Sequence, residues 1–158
     1  MLTLPIILLL LFIVNLGTAF GAGLYETRIV LPMWFHRAAD GRYDIDHRAM
    51  RQTDVGRKFW GMVTTAPLTL LTLANIFLAW QSPSPAHAWW LAAAFVALAE
   101  RLGTLTFFIP TAIRMERSDL KPLKNMSAVV SRWVQMNYVR NLLTLVAFFL
   151  ALRALLLL

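Results

Sequence analysis

Apolar residues in this chain run in long uninterrupted blocks, unlike the short alternating or every-third-residue patterns of a water-soluble domain. No charged side chain occurs between Leu2 and Gly23, and none between Phe59 and Ala99. Crossing the roughly 30 Å of bilayer hydrocarbon takes about 20 apolar residues in a helix, and each block is long enough. Four spans are predicted: about 3–25, 59–80, 88–109 and 127–156. Pro32 and Pro110 are expected to end spans one and three, and Pro67 to sit inside span two as a kink. QSPSPAH, residues 81–87, is a tight polar turn, and Ser127 is a natural cap for span four. Longer loops cover about 31–58 and 110–126. The prediction is one all-α transmembrane domain, an integral membrane antiparallel four-helix bundle.

Composition agrees: of 158 residues, 59% are hydrophobic. Met1–Pro5 carries no Lys or Arg, and the apolar run outlasts a signal-peptide core, so the first span is expected to be retained. The net charge of +7 sorts by loop. Arg28, Arg37, Arg42, Arg48, Arg51, Arg57 and Lys58 cluster around loop one, and Arg114, Arg117, Lys121, Lys124 and Arg132 around loop three. The turn at 81–87 has none. The positive-inside rule then puts loops one and three in the cytoplasm and both termini outside, as in a multi-pass protein of a bacterial inner membrane. The same sorting makes nucleic acid an unneeded explanation for the charge. Trp34, Trp60 and Trp133 are expected at the inner interface, and Trp80, Trp89 and Trp90 at the outer one. Gly17 and Gly21 form a small-xxx-small pattern suited to close helix packing, and a homo-oligomer is among the partners such a chain admits.

Candidate chemistry lies inside the spans. Glu100 and Arg101 stand side by side in span three, and Arg140 and Asn141 in span four. A charge near the bilayer centre costs at least ~2.5–3.5 kcal/mol, so it faces the bundle interior and finds a partner. Counting from the expected interfaces, Glu100 lies roughly 16 Å below the outer one and Arg140 roughly 12 Å above the inner one. The two depths nearly coincide, so Glu100 and Arg140 are expected to meet. Trp133, Asn137, Arg140 and Thr144 share one face of span four, and Glu100 and Thr104 one face of span three. Span one adds Glu26, and span two a stripe of Thr65, Thr69 and Thr72. A polar pocket toward the cytoplasmic half is predicted from Glu26, Glu100, Arg101, Asn137, Arg140 and Asn141; the alternative is a salt-bridge network that fixes helix register. In a pocket, Glu100 or Glu26 would act as base, with Arg140 and Asn137 holding an oxyanion. Arg101, Asn141, Thr104 and Trp133 would contact the substrate.

The chain has no cysteine, which removes thiolate chemistry and cysteine-held metals. His36, Asp40, Asp44, Asp46 and His47 in loop one match no specific metal spacing, and Asp44 or Asp46 is expected to cap a helix leading into span two. No metal and no cofactor is expected. No histidine lies inside a span, which speaks against a haem crossing the bundle.

TLTFFIPTAIRME (104–116), followed by WVQMNYVRNLLTLVAFFLALRAL (133–155), resembles the anthrone-oxygenase-like family of small four-helix membrane proteins. The features that carry the resemblance are the proline at the end of span three, the Trp133–Asn137–Arg140 run opening span four, and GAGLYETRIVLP closing span one. The family often has Thr-Asn after the span-three proline, where this chain has Thr111-Ala112. The resemblance implies the four-helix fold. It also implies a reaction of the kind its fungal members perform, oxidising anthrones to anthraquinones without a known metal or flavin. Two functional classes stay open on these residues. One is a cofactor-independent oxidoreductase or oxygenase acting on a lipophilic aromatic or quinone-like molecule. The other is a non-enzymatic accessory subunit or lipid or small-molecule binder; transport is a third and weaker reading.

Overall fold

The computed structural model describes residues 3–82, 85–120 and 125–158. The fold is all-α. Four helices are long and apolar enough to cross a membrane: Leu4–Trp34, Gly56–Gln81, Ala86–Glu116 and Met126–Leu155, spans one to four. They form a ring in which each packs on its two neighbours, span three most extensively on span four. Alanines permit that close approach: Ala93 and Ala97 of span three, and Ala147 and Ala151 of span four, are fully buried. Leu9, Phe12, Leu16, Leu68 and Trp90 fill the half of the bundle near the 81–87 turn. Around the outside, Val14, Leu70, Phe77 and Phe149 stand exposed, as lipid-facing side chains should.

The prolines act differently from expectation. Pro32 and Pro110 do not end their helices, which continue to Trp34 and Glu116. Each is instead preceded by a π-helical stretch, Glu26–Val30 and Thr104–Phe108, and Pro67 follows a longer one, Gly56–Thr65. The residue just before each proline (Leu31, Ala66, Ile109) donates its N–H to the carbonyl five residues back, to Glu26, Gly61 and Thr104. A proline ring collides with the carbonyl four residues earlier and offers it no donor; widening the preceding turn relieves both problems. Val63, four residues before Pro67, shows the remedy for the donor: its carbonyl accepts from Asn15 Nδ2 of span one at 3.0 Å. Span four has no proline between Met126 and Leu155 and is α-helical throughout.

Loop one is structured. A hairpin pairs β1 (Phe35–Arg37) with β2 (Tyr43–Ile45), turning at Gly41, whose φ of +81° suits glycine. Asp46 then caps a short helix, His47–Thr53, accepting from the Ala49 N–H at 2.8 Å. Asp44 does not serve as a cap. Ser127 is not the cap of span four either: Asn125 precedes the helix in a left-handed conformation, and Ser127 Oγ instead accepts from the Tyr43 N–H at 3.0 Å. That bond, with an Arg51–Asp119 ion pair at 2.7 Å, ties loops one and three together on one side of the bundle, the loop side. Part of the 81–87 turn, and loop three at 121–124, fall outside the described residues.

Three of the six tryptophans face into the bundle rather than outward. Trp34, Trp133 and Trp90 are buried in the core, whereas Trp80 and Trp89 are exposed at the turn side. Tryptophan patterns fit an interface and a wide helix seam equally well, because both give the ring an apolar body and a polar neighbour.

Candidate functional site

The buried charges of the bundle form two separate clusters. In the first, the Glu100 carboxylate of span three takes the guanidinium of its neighbour Arg101, and Thr104 Oγ1 donates to Glu100 Oε1 at 2.8 Å. All three side chains are almost completely buried. In the second, Arg140 Nη2 of span four donates to Glu26 Oε2 of span one at 2.6 Å, and Trp60 Nε1 of span two donates to Glu26 Oε1 at 2.9 Å. The Arg140 guanidinium carbon also lies 4.9 Å from the Trp60 ring centre and 4.8 Å from that of Phe108.

The expected meeting of Glu100 with Arg140 does not occur. Depth alone suggested it, but rotation about the helix axis decides contact. Glu100 finds Arg101 and Thr104 on its own helix, at little entropic cost, and Arg140 is turned toward span one.

Beside the second cluster lies a cavity of about 290 Å³, near the lower end of small-molecule sites, about 300–1,000 Å³. Of the residues singled out from the sequence, Glu26, Arg101, Thr104, Trp133 and Arg140 line it. Glu100, Asn137 and Asn141 do not. Asn137 Nδ2 donates to the Trp133 carbonyl, while its Oδ1 is buried without a partner. Asn141 Nδ2 donates to Thr27 Oγ1 at 3.3 Å, at a point where span four comes so near span one that a Cβ on Gly23 would lie 2.1 Å from Asn141 Oδ1. Asn141 thus sits at the contact between spans one and four, outside the cavity wall.

Aromatic walls complete the cavity: Trp34, Trp60, Phe108 and Trp133. Phe108 and Trp133 meet edge to face, ring centres 5.9 Å apart, and Trp133 Nε1 donates to the Phe108 carbonyl at 3.3 Å. Trp60 and Phe108 are the cavity-wall positions that sequence reasoning missed. Trp60 looked like an interface anchor, and Phe108 like one more apolar residue of span three. Their signal lies in the prolines, since both sit in the π-helical stretches, which set them against Arg140.

The threonine stripe of span two does not form one polar face of the cavity. Thr69 and Thr72 donate to their own helix, four residues back, and only Thr65 lines the cavity. The buried polar residue that does matter in span two is Asn75, which accepts from Trp90 Nε1 at 2.8 Å and donates to the Leu71 and Leu8 carbonyls on the turn side.

One donor of the cavity wall stands apart. Arg101 is 4% exposed, and while its Nε and Nη2 serve Glu100, its Nη1 has no hydrogen-bond partner. A buried N–H without an acceptor is costly, and a ligand oxygen is one way to satisfy it. Among the described residues, no three or more His, Asp or Glu side chains lie close enough to hold a metal ion.

The sequence model of the anthrone oxygenase family matches residues 51–150, which include Trp60, Arg101, Thr104, Phe108, Trp133 and Arg140 but not Glu26. No curated protein and no solved structure matches. The match covers well over half of the chain, and its span-three and span-four portions are those that carried the resemblance; the protein belongs to the anthrone oxygenase family.

Proposed function

We propose that the protein is a membrane-embedded, cofactor-independent oxygenase of a lipophilic aromatic ketone of the anthrone type, with dioxygen as co-substrate. The observation that carries this reading is an aromatic-lined cavity whose wall includes both Glu26 and Arg101, the latter with an Nη1 that has no hydrogen-bond partner. Glu26 is the base. It removes a proton from the methylene between the two rings, and the electron pair delocalises onto the ketone oxygen, which Arg101 Nη1 holds as an oxyanion. That carbanion adds to dioxygen, forming a carbon–oxygen bond, and protonation gives a hydroperoxide. Removal of the second proton from the same carbon forms the new carbonyl and breaks the oxygen–oxygen bond, and hydroxide leaves as water. One ketone and one dioxygen give one quinone and one water.

Arg140 is a positioning residue here: clamped between Trp60 and Phe108, it fixes the Glu26 carboxylate. The Glu100 cluster, closed on itself, orients Arg101. Loops one and three face the cytoplasm in this reading, on the strength of their basic residues.

The test is dioxygen uptake together with quinone absorbance when the detergent-purified protein is given anthrone. One-to-one stoichiometry is expected, with kcat lowered about 10²–10⁴-fold in Glu26→Gln, the usual range for losing a general base. A Glu26→Gln protein that turns over at the full rate removes Glu26 from the role. No quinone formation above the spontaneous rate removes the reaction, and leaves the second reading, a non-enzymatic small-molecule binder. What supports that second reading is Glu100, a buried acid whose oxygens are taken by Arg101 and Thr104 of its own helix.

A further inference from the structure

The cavity has two edges of opposite character. Asp54, Arg57, Glu116 and Arg117 border it on the loop side, two acids and two bases that water hydrates strongly. Deeper along the spans, its wall includes Gly61 and Thr65 of span two and Ile109 and Ile113 of span three. This second edge is a seam between the spans. They pack tightly along Ala66–Gln81 and Ala86–Gly103, but the π-helical start of span two and the Thr104–Glu116 end of span three form no comparable interface. Both cavity-lining isoleucines are exposed, Ile109 38% and Ile113 43%, and Gly61 and Thr65 opposite are half-exposed. An interior cavity whose wall residues are open to the outside has a doorway there.

The geometry points to a lateral portal: the cavity is loaded from the loop-side leaflet, between spans two and three, by an aromatic lipophile already dissolved in the membrane. This inference rests on the proposed function for the kind of ligand. Its physical basis is separate. An apolar ring system passing the ionic rim would have to displace water from four charged side chains, with nothing there to replace those hydrogen bonds. Passing Gly61, Thr65, Ile109 and Ile113, it exchanges lipid contact for protein contact without entering water. The prolines belong to this arrangement, because the widened turns before Pro67 and Pro110 lie in the segments where the seam opens.

The chain has no cysteine, so a single introduced thiol can carry a plug. The protein is reconstituted in phosphatidylcholine vesicles containing anthraquinone, and quenching of its tryptophan fluorescence, to which the wall residues Trp34, Trp60 and Trp133 contribute, is followed in time. A bulky non-fluorescent maleimide on Ile109→Cys is expected to lower the rate of loading about tenfold or more. Ile113→Cys, one turn along the same wall, gives the same result and stands in if the first variant does not fold. The same label on Leu70→Cys, exposed on the lipid face away from the seam, leaves the rate within about twofold. Loading unaffected by a label at 109 or 113 overturns the portal alone. So does slowing of equal size by a label on Arg57→Cys, which marks the aqueous rim. Wild-type protein that anthraquinone does not quench at all overturns the portal and the aromatic-ligand reading together.

Discussion

Arg140 carries a full charge in a bundle interior, and its contacts explain how that is tolerated: a carboxylate at 2.6 Å and two ring faces within 5 Å. Removing one partner of such a pair leaves the other charged and dry, at a cost of about 3–5 kcal/mol, whereas removing both is far cheaper. Glu26→Gln and Arg140→Gln should therefore each lower unfolding stability in detergent by that order, and the double variant by clearly less than the sum. The control is Glu100→Gln with Arg140→Gln, which share no contact and should add to within about 0.5 kcal/mol. Coupling in the Glu100 cycle but not in the Glu26 cycle would contradict the two-cluster arrangement. Gly23 makes a second point at this scale. It is required because Asn141 occupies the space of its missing side chain, and for no reason of backbone strain. Gly23→Ala should cost about 1–3 kcal/mol, the range for overpacking a tight core, and adding Asn141→Ala should recover part of it. Thermal unfolding of the three proteins decides this, and a Gly23→Ala protein as stable as wild type would refute the close approach.

At the scale of elements, the four spans were plain in the sequence because the chain spells them in apolar blocks, and a helix long and apolar enough to cross a membrane stands at each, though span one runs on to Trp34 and span three to Glu116, well past their predicted ends. Which residues would be brought together was not plain. Periodicity placed Asn137 and Arg140 on one face, yet a cavity wall also depends on helix rotation, which the π-helical stretches reset. Each such stretch adds in effect one residue to the turn, and one residue is about 100° of rotation. The prolines were visible, but a sequence does not say whether a proline stops a helix, kinks it or loosens the turn before it. Pro110→Ala tests the third outcome. With an N–H restored at 110, the Thr104–Phe108 stretch is free to tighten to α-helical register, turning Ile109 and Ala112 away from the cavity. Anthraquinone quenching and turnover should fall about tenfold or more, while the melting temperature holds or rises. Unchanged ligand binding in that variant would show that the proline does not shape the site.

For the molecule as a whole, the loop side is a single structured cap, joined by the Tyr43–Ser127 bond and the Arg51–Asp119 pair. The Arg51 guanidinium beside Asp119 is the main reason its carboxyl is held below the usual carboxylate range, and the same hydrogen bond raises Arg51. For an acid lowered in the folded state, the stabilisation is complete above the unfolded value, about 3.9, and fades as pH falls through the lower folded value. Acidification from pH 5 toward pH 3 should therefore loosen the cap, and Asp119→Asn should flatten that part of the pH profile of thermal unfolding; the pair is partly exposed, so the effect is small. The same joined cap constrains topology. Loops one and three must lie on one side, and between them they carry most of the basic residues, while the 81–87 turn carries none. If that bias sets orientation, the turn faces outward. Single cysteines at Ala88 and Asp44, both exposed, should then differ in intact cells: a membrane-impermeant maleimide labels Ala88→Cys and leaves Asp44→Cys unlabelled until the membrane is opened. The reverse pattern would invert the protein in the membrane and move the mouth of its cavity to the outer leaflet, without changing how Glu26, Arg101 and Arg140 meet inside it.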